Sequence, residues 1–243
     1  GDRRLTLTEA AGIIQEEQRD GGRILVPAFS VGRTQNLLHA LSNLTHEGLI
    51  PEIPIYVDSP LATKATRVAA AHRELYDDET QEMLERGRDP FYFDSVRFVA
   101  DVEESKSLGE LSEGIIISAS GMCEAGRILH HLSRSLGQKR DCVLAAGYMA
   151  QGTLGRRLVD GHEIVRVFGV RHRVECKVRS VPGLSAHADW RELLESLGHL
   201  ASSVRRVFVV HGEEDPAIRF SHRLLDAGFA EVEVPVHKQI FEL

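Results

Sequence analysis

The chain has 243 residues, 42% hydrophobic and 27% charged, and its 29 Lys and Arg against 36 Asp and Glu give a formal charge of −7. These proportions are those of one large globular domain or two small ones, and the net acidity argues against a chain that coats nucleic acid non-specifically, while leaving room for a local basic groove. Apolar runs such as 207–210 and 115–117 are far shorter than the ~20 residues of a membrane span, and residues 1–8 carry no apolar signal-peptide core. No membrane partner is expected, and the cytoplasm is the expected location.

In chain order, Leu7, Ala10, Ala11, Ile13 and Ile14 recur at helical spacing. They predict a helix over 6–19, with Thr6 and Glu9 spaced as a capping box and Gly21-Gly22 as its stop. An apolar run, 23–27, then a loop and an amphipathic segment, 32–44, read as strand, loop and helix. The rhythm returns at 55–57 with 61–71, at 115–117 with 126–136, and at 142–146 with 153–159. The segment 77–90 is a charged helix, followed by Phe91, Tyr92 and Phe93, which are expected to pack as a satellite of the core. Residues 163–180 alternate around Gly169 as two strands and a turn, and they mark the candidate domain seam. Beyond it, a helix is predicted over 189–200, a strand over 207–210, a helix over 216–227 and a last strand around Val232 and Val234. Alternating strands and helices of this length predict an α/β fold, a parallel sheet flanked by helices on both faces.

Three cysteines, Cys123, Cys142 and Cys176, lack CxxC spacing and are expected as small buried hydrophobes. In an open parallel sheet the ligand crevice lies at the carboxyl ends of the strands. The segments there are small and polar: 28–33, 58–60, 118–122 and 147–153, each leading into a helix N-terminus whose free N–H groups favour anions. Four such loops on one edge suggest a polyanion, although each alone reads as ordinary caps and turns. None carries the GxGxxG or P-loop fingerprint, which makes a nucleotide cofactor a weak alternative. Arg33, Arg127 and Arg156 stand early in these helices, within reach of phosphates as bidentate donors. Asp58 has three open readings: capping the next helix, touching the bound polyanion or orienting a catalytic group, with the cap favoured.

Of the twelve histidines, most fall in helices without a converging second ligand. His39, His46, His72, His130, His131, His199 and His222 are read as surface or core residues. His162, His172 and His237 are set aside likewise. His187 and His211 differ, because the first opens a helix after Ser185-Ala186 and the second ends the apolar strand at Val210.

With these residues in place, the chain strongly resembles the β-CASP branch of the metallo-β-lactamase superfamily, a group of RNA-processing nucleases. Six segments in the same order carry the likeness: 22–35, 55–62, 118–122 with 126–132, 147–155, 185–189 and 210–213. The resemblance implies a Rossmann-like β-CASP domain over 1–180 and the C-terminal segment of a metallo-β-lactamase αββα domain over 181–243. It implies a zinc-dependent ribonuclease in which two zinc ions activate a hydroxide that attacks an RNA phosphodiester. Ser185-Ala186-His187 is similar to the family's motif B, which makes His187 the catalytic residue contacting the scissile phosphate or acting as general acid. Val210-His211 is similar to motif C, which makes His211 a zinc ligand. The remaining residues assigned to single-stranded RNA or its phosphates are Ser30, Arg33, Ser59, Ser118, Ser120, Gly121 and Ser185.

The family's HxHxDH motif and its later zinc ligands do not occur in the sequence. The chain is therefore expected to be the C-terminal part of a longer protein and to be inactive alone, without fully binding the two zinc ions. Residues after about Val181 are expected to show exposed apolar surface, which a homodimer contact is one way to cover. The alternative function is a non-catalytic RNA-binding scaffold subunit of a processing complex.

Overall fold

The computed structural model describes residues 3–181 and 188–241. The chain divides into two compact units, Gly1–Ala186 and His187–Leu243, and each is taken by itself.

The first unit opens with α1 (Arg3–Arg19), followed by β1 (Arg23–Pro27), α2 (Arg33–His46), β2 (Ile55–Asp58), α3 (Pro60–Ala71) and α4 (Asp78–Glu85). Next come β3 (Val96–Phe98), α5 (Val102–Ser107), β4 (Gly114–Ser118), α6 (Arg127–Ser135), β5 (Cys142–Ala145) and α7 (Leu154–Val159). The unit closes with β6 (Ile164–Val167), β7 (Val170–Arg173) and β8 (Lys177–Ser180). Helix α1 starts before Thr6, so Thr6 is a buried residue inside the helix and not the start of a capping box. Strand β3 and helix α5 were not legible as elements, being short and mostly polar. Residues 163–180 form three strands where two were expected: β6 and β7 pair as an antiparallel hairpin, and β8 leaves it to join the main sheet.

Among the described residues that sheet has six strands in the order β3-β2-β4-β1-β5-β8, every adjacent pair parallel. Its central strands are apolar on both faces because helices cover both. Ile24, Val26, Ile115, Ile117, Cys142 and Leu144 face Ala10 and Ile14 of α1 and Leu37, Leu38, Leu41 and Leu44 of α2. The intervening residues Leu25, Ile116 and Val143 face Ile128, Leu132 and Leu136 around α6 and Leu154 and Leu158 of α7. Each fully buried aliphatic side chain contributes about 1.5–3 kcal/mol, so this two-sided core is what holds the strand ends in line. Phe91 is buried in the first of these clusters and Phe93 packs against it, while Tyr92 is exposed.

Polar ties fasten the rest. Buried Arg23 donates to Asp141 through its backbone N (3.0 Å), Nε (3.1 Å) and Nη2 (2.6 Å), and through Nη1 to Gly109 O (2.7 Å). Edge strand β8 carries Lys177 and Arg179, which pair with Glu17 of α1 at 3.0 and 3.1 Å. The three cysteines are free and buried, and burial pushes the Cys123 and Cys142 thiols up to about 12 and that of Cys176 to about 11. They behave as the small hydrophobes expected of them.

The second unit contains α8 (Trp190–Leu197), β9 (Val207–Phe208), α9 (Glu214–Asp226) and β10 (Val232–Glu233), with β9 and β10 pairing in parallel. Asp189 caps α8 by accepting from the N–H groups of Arg191 and Glu192, while Glu192 reaches back to the N–H of Asp189. Its core is thin: Ala217, Leu224 and Phe229 are buried. Val210, Leu225, Val236 and Ile240 are exposed at 67%, 45%, 70% and 92%, which is the apolar exposure anticipated for this region. Among the described residues no helix is long and apolar enough to cross a membrane.

Two glycine substitutions should separate. A Cβ on Gly22 (φ 133°) would lie 2.2 Å from Arg140 O, whereas Gly12, exposed within α1, has nothing within 4 Å. Gly22→Ala is expected to lower the denaturation midpoint, and Gly12→Ala to raise stability by roughly 0.5–1 kcal/mol, both read by chemical unfolding.

Candidate functional site at the strand carboxyl ends

The register places Pro27, Asp58 and Ser118 side by side at the carboxyl ends of β1, β2 and β4. Ala28 N donates to Ser118 O at 3.0 Å and continues that alignment one residue further. The following loops are tied to one another. The Ser30 and Ser59 hydroxyls lie 3.0 Å apart, which joins the loops after β1 and β2. A Cβ on Gly121 would sit 3.0 Å from two ring carbons of Phe29 and 3.2 Å from its nitrogen, so the loops after β4 and β1 meet where only glycine fits without displacing a neighbour. The Glu124 carboxylate accepts from Leu154 N, and Met122 O accepts from Gly155 N at 3.1 Å, joining the loops after β4 and β5.

Beneath this edge lies a buried carboxylate. Asp58 has no exposed surface, and its Oδ1 accepts from Arg127 Nη1 at 2.6 Å. Its Oδ2 accepts from Ser105 Oγ at 2.6 Å and lies 2.7 Å from His131 Nε2. Burial pushes the Asp58 carboxyl up, but the hydrogen bonds from His131, Ser105 and Arg127 outweigh it and hold the group below the ordinary carboxylate range. An ionised carboxylate only accepts, so His131 donates through Nε2. The favoured reading of Asp58 as a helix cap is corrected: Ser59 caps α3, its Oγ accepting from Ala62 N at 3.2 Å. Asp58 instead locks β2 to α5 and α6. His131 is a core residue, as read, but its pairing with Asp58 was missed. The signal was present in Arg127 and His131, four apart and hence on one face of α6.

The other assigned residues separate by environment. Ser30 and Ser59 sit on the tied loops, and Ser120 Oγ accepts from Glu124 N at 3.2 Å. Ser118 is 1% exposed and donates to Asp58 O at 3.0 Å; its hydroxyl is a buried tie and does not face the edge, which corrects its reading as a phosphate contact. Arg127 is bound to Asp58, and Arg156 pairs with Asp160 one turn along α7 at 2.9 Å. Arg33 alone of the three arginines has no carboxylate partner among the described residues. It is half-buried, and desolvation lowers its pKa below the ordinary value. Gln35 locks the start of α2 by donating to Thr66 Oγ1 at 2.8 Å and accepting from Gly32 N at 2.7 Å.

Ser185 and His187 lie outside the described residues. His211 follows β9, exposed and with left-handed backbone (φ 61°). Among the described residues no group of three or more His, Cys, Asp and Glu side chains could hold a metal ion. They therefore do not make a zinc site by themselves.

A family model described as the Beta-Casp domain matches residues 34–158. The chain belongs to the Beta-Casp family. A second model, described as a Zn-dependent metallo-hydrolase RNA specificity domain, matches residues 171–235. The Beta-Casp match runs from α2 to α7 and so takes in the loops after β2, β4 and β5 of the edge just described. A protein named Ribonuclease TTHA0252, from Thermus thermophilus, is 34% identical over 213 residues, 87% of this chain and 48% of that protein. Two proteins named Transcription termination factor FttA, from Methanosarcina mazei and Methanothermobacter thermautotrophicus, are 29% and 28% identical. They cover 85% and 94% of this chain and 33% and 37% of their own lengths. The chain spans at most about half the length of these curated relatives.

Removing the buried carboxylate tests the lock. Asp58→Ala leaves Arg127 and His131 without their partner and should cost about 3–5 kcal/mol in chemical denaturation. Since its folded pKa is lowered, the contribution of Asp58 is complete above the unfolded value of ~3.9 and is lost as pH falls through the folded value. The wild type should therefore lose more stability on acidification below about pH 4 than Asp58→Asn does.

Proposed function

We propose that this chain is the RNA-gripping part of a ribonuclease that hydrolyses RNA phosphodiester bonds, with single-stranded RNA lying across the tied loops. The observation that carries the reading is the edge itself. Four strand-end loops are bound into one rigid row, over a buried Asp58 lock, with the uncompensated cation Arg33 beside them. A rigid row of hydroxyls, backbone N–H groups and a half-desolvated guanidinium suits a phosphodiester backbone, since a guanidinium already stripped of part of its water loses less on binding. Ser30, Ser59, Ser120 and Gly121 act as loop contacts to phosphates, and Asp58, Arg127 and His131 act as positioning residues beneath them. The name of one relative, a ribonuclease, and the description of the second family model, an RNA specificity domain, support RNA as the ligand.

The proposal divides the chain into a β-CASP domain over 1–180 and a segment of a metallo-β-lactamase αββα domain over 181–243. The description of the second family model supports zinc as the cofactor of such a ribonuclease. His211 is the ligand proposed from this chain, and His187, with Ser185, the contact to the scissile phosphate. The other zinc ligands would come from outside the described residues, so no chemical step is derived through the metal.

Two experiments test the proposal. RNA binding by this chain should weaken with salt, and Arg33→Ala should flatten the slope of log affinity against log salt by roughly 0.7, measured by fluorescence anisotropy. A salt-independent interaction overturns the phosphate grip. Metal content and RNA cleavage are then measured on the chain and on the full product of its gene, with His187→Ala and His211→Ala. Cleavage by the full product that both substitutions abolish supports the enzyme, and cleavage fully retained in both removes the two assignments.

A further inference from the structure

The β6–β7 hairpin breaks two local rules on the same exposed ribbon. Its register sets Arg166 directly opposite Arg171 and Ile164 opposite Arg173. Residues directly opposite in an antiparallel pair share a face, so the three guanidiniums lie together on one side. The other side is the packed one: Val165 and Val167 are 2% and 1% exposed and belong to the core cluster of α6 and α7. Like charges directly opposite destabilise a hairpin. No acidic residue lies within the ribbon itself, since residues 164–173 contain no Asp or Glu in a chain of net charge −7. No carboxylate among the described residues pairs with Arg166 or Arg171, and Arg173 only approaches Glu175, at 4.0 Å.

The second broken rule is at the tip. Phe168 and Gly169 both have positive φ, 49° and 78°, as a two-residue primed turn requires. Such turns favour Asn, Asp or Gly at the first position, and a bulky side chain there is an outlier. Phe168 is nevertheless 56% exposed, its ring 4.7 Å from that of His130. A facing pair of arginines and a bulky residue in a positive-φ turn are locally unfavourable choices, and such choices mark a surface kept for a ligand.

We infer that the β6–β7 ribbon is a second RNA-binding surface, with Arg166, Arg171 and Arg173 on its outward face taking phosphates of a single strand and Phe168 at its tip stacking on a base. The inference rests on RNA being the ligand, as proposed above, but uses none of the residues of the strand-end edge. An acidic protein segment would satisfy the arginines, whereas an exposed aromatic held at the end of an arginine ladder fits a nucleic acid, whose bases present π-faces between phosphates.

The test is binding of a labelled oligouridine to this chain across a salt series. In the triple variant Arg166→Thr, Arg171→Thr, Arg173→Thr the salt slope should flatten by about 2, at roughly 0.7 per contact. Affinity at low salt should fall at least about tenfold, while the melting temperature holds or rises as the facing charges are relieved. The single variant Arg171→Thr, which disturbs the hairpin least, should flatten the slope by about 0.7. Phe168→Ala should lower affinity with the slope unchanged. Unaltered affinity and slope in these arginine variants, while Arg33→Ala still weakens binding, overturn the ribbon surface and leave the strand-end reading standing. Binding of poly-glutamate that the triple variant loses, with oligouridine binding intact, overturns it in favour of an acidic protein partner. If the wild-type chain binds no RNA, the strand-end reading fails and the ribbon inference falls with it.

Discussion

The buried carboxylate of Asp58 is the constraint on which the working edge depends. A negative charge without solvent is costly unless every lone pair is engaged, and here the cost is offset by donors from two elements distant in sequence, Ser105 of α5 and Arg127 with His131 of α6. Because α6 can reach Asp58 only when the loop after β4 is folded back, the charge fixes that loop as well. Gly126, with φ 80°, makes the fold-back sterically possible, since a Cβ there would meet Ala119 O at 2.6 Å. The lock and the loop above it are therefore one cooperative unit.

The two faces of the sheet serve different ends. On one, α1 and α2 bury a continuous aliphatic layer, and α1 also neutralises the charges of edge strand β8 through Glu16, Glu17 and Asp20. Lys177 and Arg179 are thus spent inside the fold. On the other face the β6–β7 hairpin lies over α6 and α7 with its arginines outward, Arg166 and Arg171 without a carboxylate partner among the described residues. An acidic protein that keeps unpaired arginines at the strand-end edge and on one ribbon is organised to receive an anion at chosen places, and net charge gives no sign of it.

Membership of the Beta-Casp family fits this arrangement, since the matched residues, 34–158, run from the helix after β1 to the helix after β5. The second unit is built differently. Its two short strands and two helices bury few side chains and leave Val210, Val236 and Ile240 exposed, and His211 sits in a left-handed bend between β9 and α9. Under the proposed function this imidazole supplies one zinc ligand, and the others come from groups beyond the described ones.

The sequence by itself determined the parallel α/β architecture, the family, the burial of the cysteines and the positions of the strand-end loops. All of these follow from local periodicity, turn residues and ordered motifs, which are written along the chain. It also suggested Arg33, whose place at the start of α2 is a local fact. It did not determine which polar residues are spent inside the fold. Asp58 against Ser59 as the cap, Ser118 as a buried tie and Arg127 and Arg156 as paired arginines were decided by partners 3 to 73 residues away. Only the tertiary structure could show that β8 leaves its hairpin for the sheet and that Arg166 stands opposite Arg171. Register and charge pairing are properties of two segments brought together, and neither segment carries them alone.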